Sequence, residues 1–255
     1  MPARRFRLPA ATLATLPAMA VLAAACVTAP VATTVATDAT PGATQVVPPT
    51  PSSASPAATP SAAASLPPGV LGIPTAFAAD LPPGRYLGSP PFEVPLTFEV
   101  LEPGWVVGHR GAAFLDMQRF EGEPGPGITP IRVIGFGHAD RIRGEDGDVP
   151  ILELTPRAAV ELLAGRSSLD ATHVRDLDLV GLPGARVDLH SEVGNNPVFG
   201  LADGTFGLGP ELDLRLVVLP LDGDLLLLTV MAPPGELEAA WDEALPVLGT
   251  VDLQP

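Results

Sequence analysis

Three regimes of hydrophobic patterning follow one another along the chain. Leu8 to Ala25 is uncharged and mostly apolar. Val27 to Ala79 is rich in Pro, Ala, Thr and Ser and lacks any apolar period. Strand-like alternation begins near residue 81 and runs to residue 255, which predicts one folded domain over 81–255. Within it, Phe92–Val100 and Trp105–His109 read as strands joined at Glu102-Pro103-Gly104. Ala113–Phe120 and Ile131–Ala139 are further strands. Thr155 then offers a cap, Pro156 fits a first helical position, and Gly165 stops a helix that runs through Arg157–Ala164.

Two hairpins follow. Val174–Val180 and Ala185–His190 flank Gly181-Leu182-Pro183-Gly184. Patterning assigns Leu177, Leu179, Val187 and Leu189 to one face, and Asp176, Asp178, Arg186, Asp188 and His190 to the other. Val198–Leu201 and Thr205–Leu208 flank Asp203-Gly204, a short-hairpin signal. Leu212–Leu219 leads to Leu225–Met231, which is apolar on both parities and so predicts a central strand covered on both faces. A helix over Gly235–Leu248 closes the domain, with Leu237, Trp241, Ala244, Leu245 and Leu248 inward and Pro246 kinking or shortening it.

An antiparallel sheet flanked by few helices makes this an α+β fold. The chain resembles the Mog1/PsbP-like superfamily, which includes bacterial lipoproteins. The resemblance rests on the early strands ending at Pro103-Gly104-Trp105, the turn Gly181-Leu182-Pro183-Gly184, and the apolar strand pair leading into the helix at Trp241. It spans most of residues 90–253 and implies an αβα sandwich used for binding, assembly or accessory roles without catalysis. None of these motifs is chemically specific, and a fold does not fix a function.

The first regime reads as an export signal over residues 1–25. Arg4, Arg5 and Arg7 precede the apolar run, and Pro9 and Pro17 interrupt a segment close to the lower limit for spanning a bilayer. It ends in Leu22-Ala23-Ala24-Ala25-Cys26, which resembles the lipobox of bacterial lipoproteins, with Ala23 where that motif prefers a branched residue. Cys26, the sole cysteine, is then the lipid-attachment residue, and its acyl chains hold the protein to the membrane. Cleavage by ordinary signal peptidase and an uncleaved anchor are the alternatives. With Cys26 used, no disulfide braces the domain. Residues 26–80 read as a disordered tether, because a Pro/Ala/Thr/Ser stretch cannot bury enough apolar surface to offset its ordering entropy.

Charge narrows the partners. All 14 basic residues are arginine, against 29 acidic ones, for a net charge of −15. Loss of the three signal arginines takes the mature chain to about −18. Such a surface disfavours nucleic acid and anionic lipid headgroups.

Candidate chemistry is sparse. His109, His138, His173 and His190 show no helix-spaced pair. His173 shares the parity of Leu177, and His190 lies on the acidic face, so the two are expected on opposite sides of the sheet, unable to share an ion. Glu145-Asp146-Gly147-Asp148 lacks the alternating ligand spacing of a calcium loop. The cluster Asp176, Asp178 and Asp188 lies on a flat sheet face, with Arg186 to offset it. Ser167, Ser168 and Ser191 stand beside no evident base, no GxSxG occurs, and Gly200–Gly209 lacks the setting of a phosphate loop. Phe199, Leu201, Phe206 and Leu208 form an apolar hairpin that either packs in the core or offers a contact surface. No catalytic residue, metal or cofactor is assigned.

These readings together predict a lipid-anchored, extracytoplasmic binding or accessory module. Its partner is an envelope protein or a small ligand, besides the membrane itself. An envelope hydrolase and an acidic cation-binding surface protein are the rival readings.

Overall fold

The computed structural model describes residues 66–89, 92–125, 127–202 and 204–253; the expected export signal, Cys26 and the expected tether up to residue 65 lie outside the described residues. In chain order the elements are β1 (Val70–Gly72), β2 (Asp80–Leu81), β3 (Gly84–Leu87), β4 (Leu96–Val100), β5 (Trp105–Arg110), β6 (Phe114–Arg119), β7 (Arg132–Arg143) and β8 (Asp148–Pro150). A 3-10 turn (Ile151–Glu153) and α1 (Pro156–Ala164) follow, then β9 (Asp170–Leu179), β10 (Leu182–His190), β11 (Asn196–Leu201), β12 (Gly204–Leu208), β13 (Asp213–Leu221) and β14 (Asp224–Ala232). The last two are α2 (Leu237–Leu248) and β15 (Asp252–Leu253). All belong to the unit Ser61–Pro255, and paired structure starts at β1, ahead of the boundary at 81 suggested by composition.

The main sheet runs β2-β5-β6-β7-β14-β13-β10-β9, antiparallel throughout, with β8 and the β11–β12 hairpin joined to the far end of β7. A smaller sheet, β1-β3-β4-β15, has one parallel pair, β1 with β3. As expected, β14 sits centrally, between β7 and β13, and is buried on both faces. Leu226, Leu228 and Val230 join a core shared with α2 and the small sheet, while Leu225, Leu227 and Met231 join a core shared with α1 and the β11–β12 hairpin. That division follows from the two-residue pleat.

The helix signals act where they stand. Thr155 Oγ1 accepts the Ala158 N–H at 3.2 Å, Pro156 takes the first position, and Gly165 closes α1. Pro246 falls in the last turns of α2, which runs on to Leu248. Ala240, Trp241, Ala244, Val247 and Leu248 form its buried stripe. Leu245, expected inside, is exposed: at about 100° per residue it lies off the row set by Trp241, Ala244 and Leu248.

The first hairpin departs from its reading. Leu179 pairs with Leu182, so the turn is Val180-Gly181 alone, and Pro183 and Gly184 belong to β10. Both turn residues have positive φ, 51° at Val180 and 77° at Gly181. A β-branched residue is strained there, and the packing of Val180 against the core under α2 opposes that strain. The shorter turn changes which residues share a face. Odd positions of β9 stand opposite even positions of β10, so Leu177 and Leu179 side with Arg186 and Asp188 under α2, whereas Val187 and Leu189 side with α1.

Candidate functional site

On β13, Arg215 stands directly opposite Asp188 on β10, so the pleat projects both side chains toward α2. Both are buried. Arg215 donates from Nε to Asp188 Oδ1 and from Nη2 to Asp188 Oδ2, each at 2.7 Å. From the helix, Glu238 accepts from Nη1 at 3.1 Å and from Nη2 at 2.9 Å. The guanidinium also lies 5.2 Å from the centroid of the Trp241 ring. Burial works to lower the Arg215 pKa, but the bonds to Asp188 and Glu238 outweigh it and raise the value above that of a free arginine. The same contact holds the Glu238 carboxyl below its ordinary range. A two-carboxylate fork on a planar cation is a rigid device, because it fixes orientation as well as distance. It clamps the first turn of α2 to the sheet.

Beside this clamp opens a cleft of about 440 Å³, lined by His173, Asp188, His190, Asp213, Arg215 and Glu238 among others. His173 Nδ1 lies 2.9 Å from Asp188 Oδ2, and His190 Nδ1 lies 2.7 Å from Asp213 Oδ1. The Gly235 N–H, just before α2, donates to Asp213 Oδ2 at 3.3 Å. His173 and His190 therefore share one cleft, contrary to the opposite sides expected. Two facts account for it. Between the turn and the bulge odd positions of β9 stand opposite even positions of β10. Past the bulge Thr172 pairs with Asp188 and Asp170 with His190, so His173, left out of the pairing at φ 54°, turns onto Asp188.

The aspartate cluster is likewise dispersed. Asp176 faces α1, where Arg157 lies 3.4 Å away, and Asp188 faces α2. Among the described residues no group of three or more His, Cys, Asp and Glu side chains is placed to hold a metal ion. His109 is exposed, with its ring 6.0 Å from that of Phe114. His138 bridges Asp224 at 2.6 Å and Glu93 at 3.5 Å.

The acidic loop is taken up locally: Glu145 accepts from Ser167 N and Oγ, and Asp148 pairs with Arg141 and Arg143. Ser168 Oγ accepts from Arg166, and Ser191 Oγ donates to the Val193 carbonyl. Phe199, Leu201 and Leu208 of the apolar hairpin are buried, and Phe206 stacks on Phe199 at 4.5 Å. That hairpin is core rather than contact surface.

Two buried groups had no distinctive signal in the chain. Asp116 on β6 is buried, and burial pushes its carboxyl up to about 7 against N–H donors from His109 and Gln118, each at 3.0 Å. Gly108 makes room for it, since a Cβ there would stand 1.8 Å from Asp116 Oδ1. The second is Arg186, whose Nε is buried without a hydrogen-bond partner.

No family model matches the chain, and no curated protein matches it. Seven chains of solved structure do. One is PA94 of Pseudomonas aeruginosa, a protein of unknown function, at 17% identity and a TM-score of 0.33, covering 62% of this chain and 92% of that one. Another is the cyanobacterial PsbP of Synechocystis sp. PCC 6803, at 11% identity and a TM-score of 0.37, covering 71% of this chain and 95% of that one. The folded unit is α+β, a mostly antiparallel sheet with two helices.

Proposed function

We propose that this chain is exported, cleaved before Cys26 and held by acyl chains on that residue. On the extracytoplasmic side of the membrane it presents a noncatalytic binding or accessory domain of Mog1/PsbP-like fold. The N-terminal charge and apolar pattern supports the anchor. The antiparallel sheet with one helix on each face agrees with the sandwich that the resemblance implies.

One observation carries the binding reading. Around the cleft, Arg215, Asp188, Glu238, His173, His190 and Asp213 are each engaged by a partner. Groups fixed this way present a preorganised surface for recognition, which is what a binding site needs.

The test is site-specific photocrosslinking of the full chain in cells, with the probe at position 170 on the cleft rim or at the highly exposed position 152 outside it. A reproducible adduct from 170 and none from 152 supports the cleft as the binding face. Equal labelling from both positions, or none from either, contradicts it.

A further inference from the structure

Arg186 is an unusual buried cation. Its side chain extends from β10 toward α2, the residue is only 3% exposed, and its Nε is buried with no hydrogen-bond partner. No ion pair within 4 Å joins it to any carboxylate among the described residues. An arginine does not escape such a position by losing its proton, so a counter-charge or a hydrogen-bond acceptor has to compensate it. The two carboxylates in electrostatic range, Asp188 and Glu238, are already committed, because all four of their oxygens accept from Arg215. The Trp241 face, 5.5 Å from the guanidinium, offers partial compensation only.

The cross-strand neighbour makes matters worse. Arg175 on β9 stands directly opposite Arg186 in register, and like charges so placed repel. Arg175 is exposed and sits on the edge strand, so this position opens to solvent. Burial, with Arg215 and Arg175 adding to it, drives the Arg186 pKa down, as expected for a cation short of partners. Close to this pair, Arg175, Arg186 and Arg215 face Asp188 and Glu238, and the adjoining cleft adds two more carboxylates, Asp170 and Asp213. At physiological salt the repulsion between a bound anion and carboxylates beyond about 8 Å is largely screened.

We propose that Arg175 and Arg186 form an oxyanion-binding site at the β9–β10 edge under α2, which takes the carboxylate or phosphoryl group of a small ligand. The planar forks of two arginines match either group, with Arg175 receiving it from solvent and Arg186 completing the contact from within. This inference rests on the reading of the domain as a binding module.

The experiment titrates the full chain with sodium phosphate and with sodium citrate, at constant ionic strength balanced by sodium chloride, and follows tryptophan fluorescence and the melting temperature. A saturable response to phosphate alone assigns a phosphoryl group, to citrate alone a carboxylate, and to both a general oxyanion site. Arg175→Gln removes the repulsion across from Arg186, so it should melt no lower than the parent without ligand and weaken binding at least 10-fold. Arg186→Met should melt no lower than the parent without ligand and lose the response. Three results overturn the site: no saturation with either anion, Arg175→Gln titrating as the parent does, or Arg186→Met melting earlier in ligand-free buffer, which makes Arg186 a structural cation. The photocrosslinking result does not depend on any of these, so a failed anion site leaves the binding-module reading standing or falling by its own test.

Discussion

Replacing Asp116 with asparagine isolates one buried carboxyl and gives its energy a sign. In the folded chain this group is 6% exposed and its pKa rises from 3.8 to about 7, with burial as the main cause. The folded state therefore holds a proton that the unfolded state releases. Stability from this group is complete below the unfolded value, declines as pH rises through the window from 3.8 to about 7, and levels off above it. At 1.36 kcal/mol per pH unit the decline amounts to about 4 kcal/mol. Asparagine keeps a carbonyl oxygen for the His109 and Gln118 donors but carries no charge at any pH. Urea unfolding of parent and Asp116→Asn, followed by fluorescence from about pH 4 to pH 8, should therefore give a difference in stability that grows by roughly 4 kcal/mol in favour of the variant. Subtracting the two curves cancels the opposite trend of groups such as Glu238, whose lowered pKa adds stability as pH rises. A difference flat to within about 1 kcal/mol would refute the buried ionisation and the reasoning built on it.

Three further outcomes follow from the packing. Arg215→Met leaves Asp188 buried without its cation and should cost about 3–5 kcal/mol in urea unfolding, and Arg215→Met with Asp188→Leu should recover most of it. Thr155→Ala removes the α1 cap and should lower stability by about 1 kcal/mol, with Thr155→Ser restoring it. Gly108→Ala forces a methyl onto Asp116 Oδ1 and the Gln118 amide and should cost about 1–3 kcal/mol, a loss that Asp116→Ala in the same chain relieves in part and Asp116→Ala with Gln118→Ala relieves further.

Local signals were legible in the chain, and pairings between distant segments were not. α1 follows from Thr155, Pro156 and Gly165, whose effects act within one or two turns. The placement of β14 follows from apolar residues on both parities, since only a central strand buries both. The β9–β10 turn was misread because Gly181, Pro183 and Gly184 suggest a longer loop, while Val180 is a poor candidate for positive φ. The shorter turn exchanges the faces of the hairpin, and the bulge between Arg186 and Asp188, which has no signal in the sequence, brings His173 into one cleft with His190. The clamp itself depends on β10 lying beside β13, so Arg215 and Asp188 are neighbours only once the sheet is assembled. The burial of Asp116 and Arg186 is set by β5, β7 and α2, none of which their own strands reveal.

The account as a whole is tested most directly by intact mass spectrometry of the mature protein recovered from the membranes of a lipoprotein-processing bacterium. It predicts a polypeptide beginning at Cys26 and carrying a diacylglyceryl group, with or without an N-acyl chain, which disappears when Cys26→Ser is expressed. A mature chain that starts at any other residue, or one that begins at Cys26 without lipid and is found in the culture medium, contradicts it.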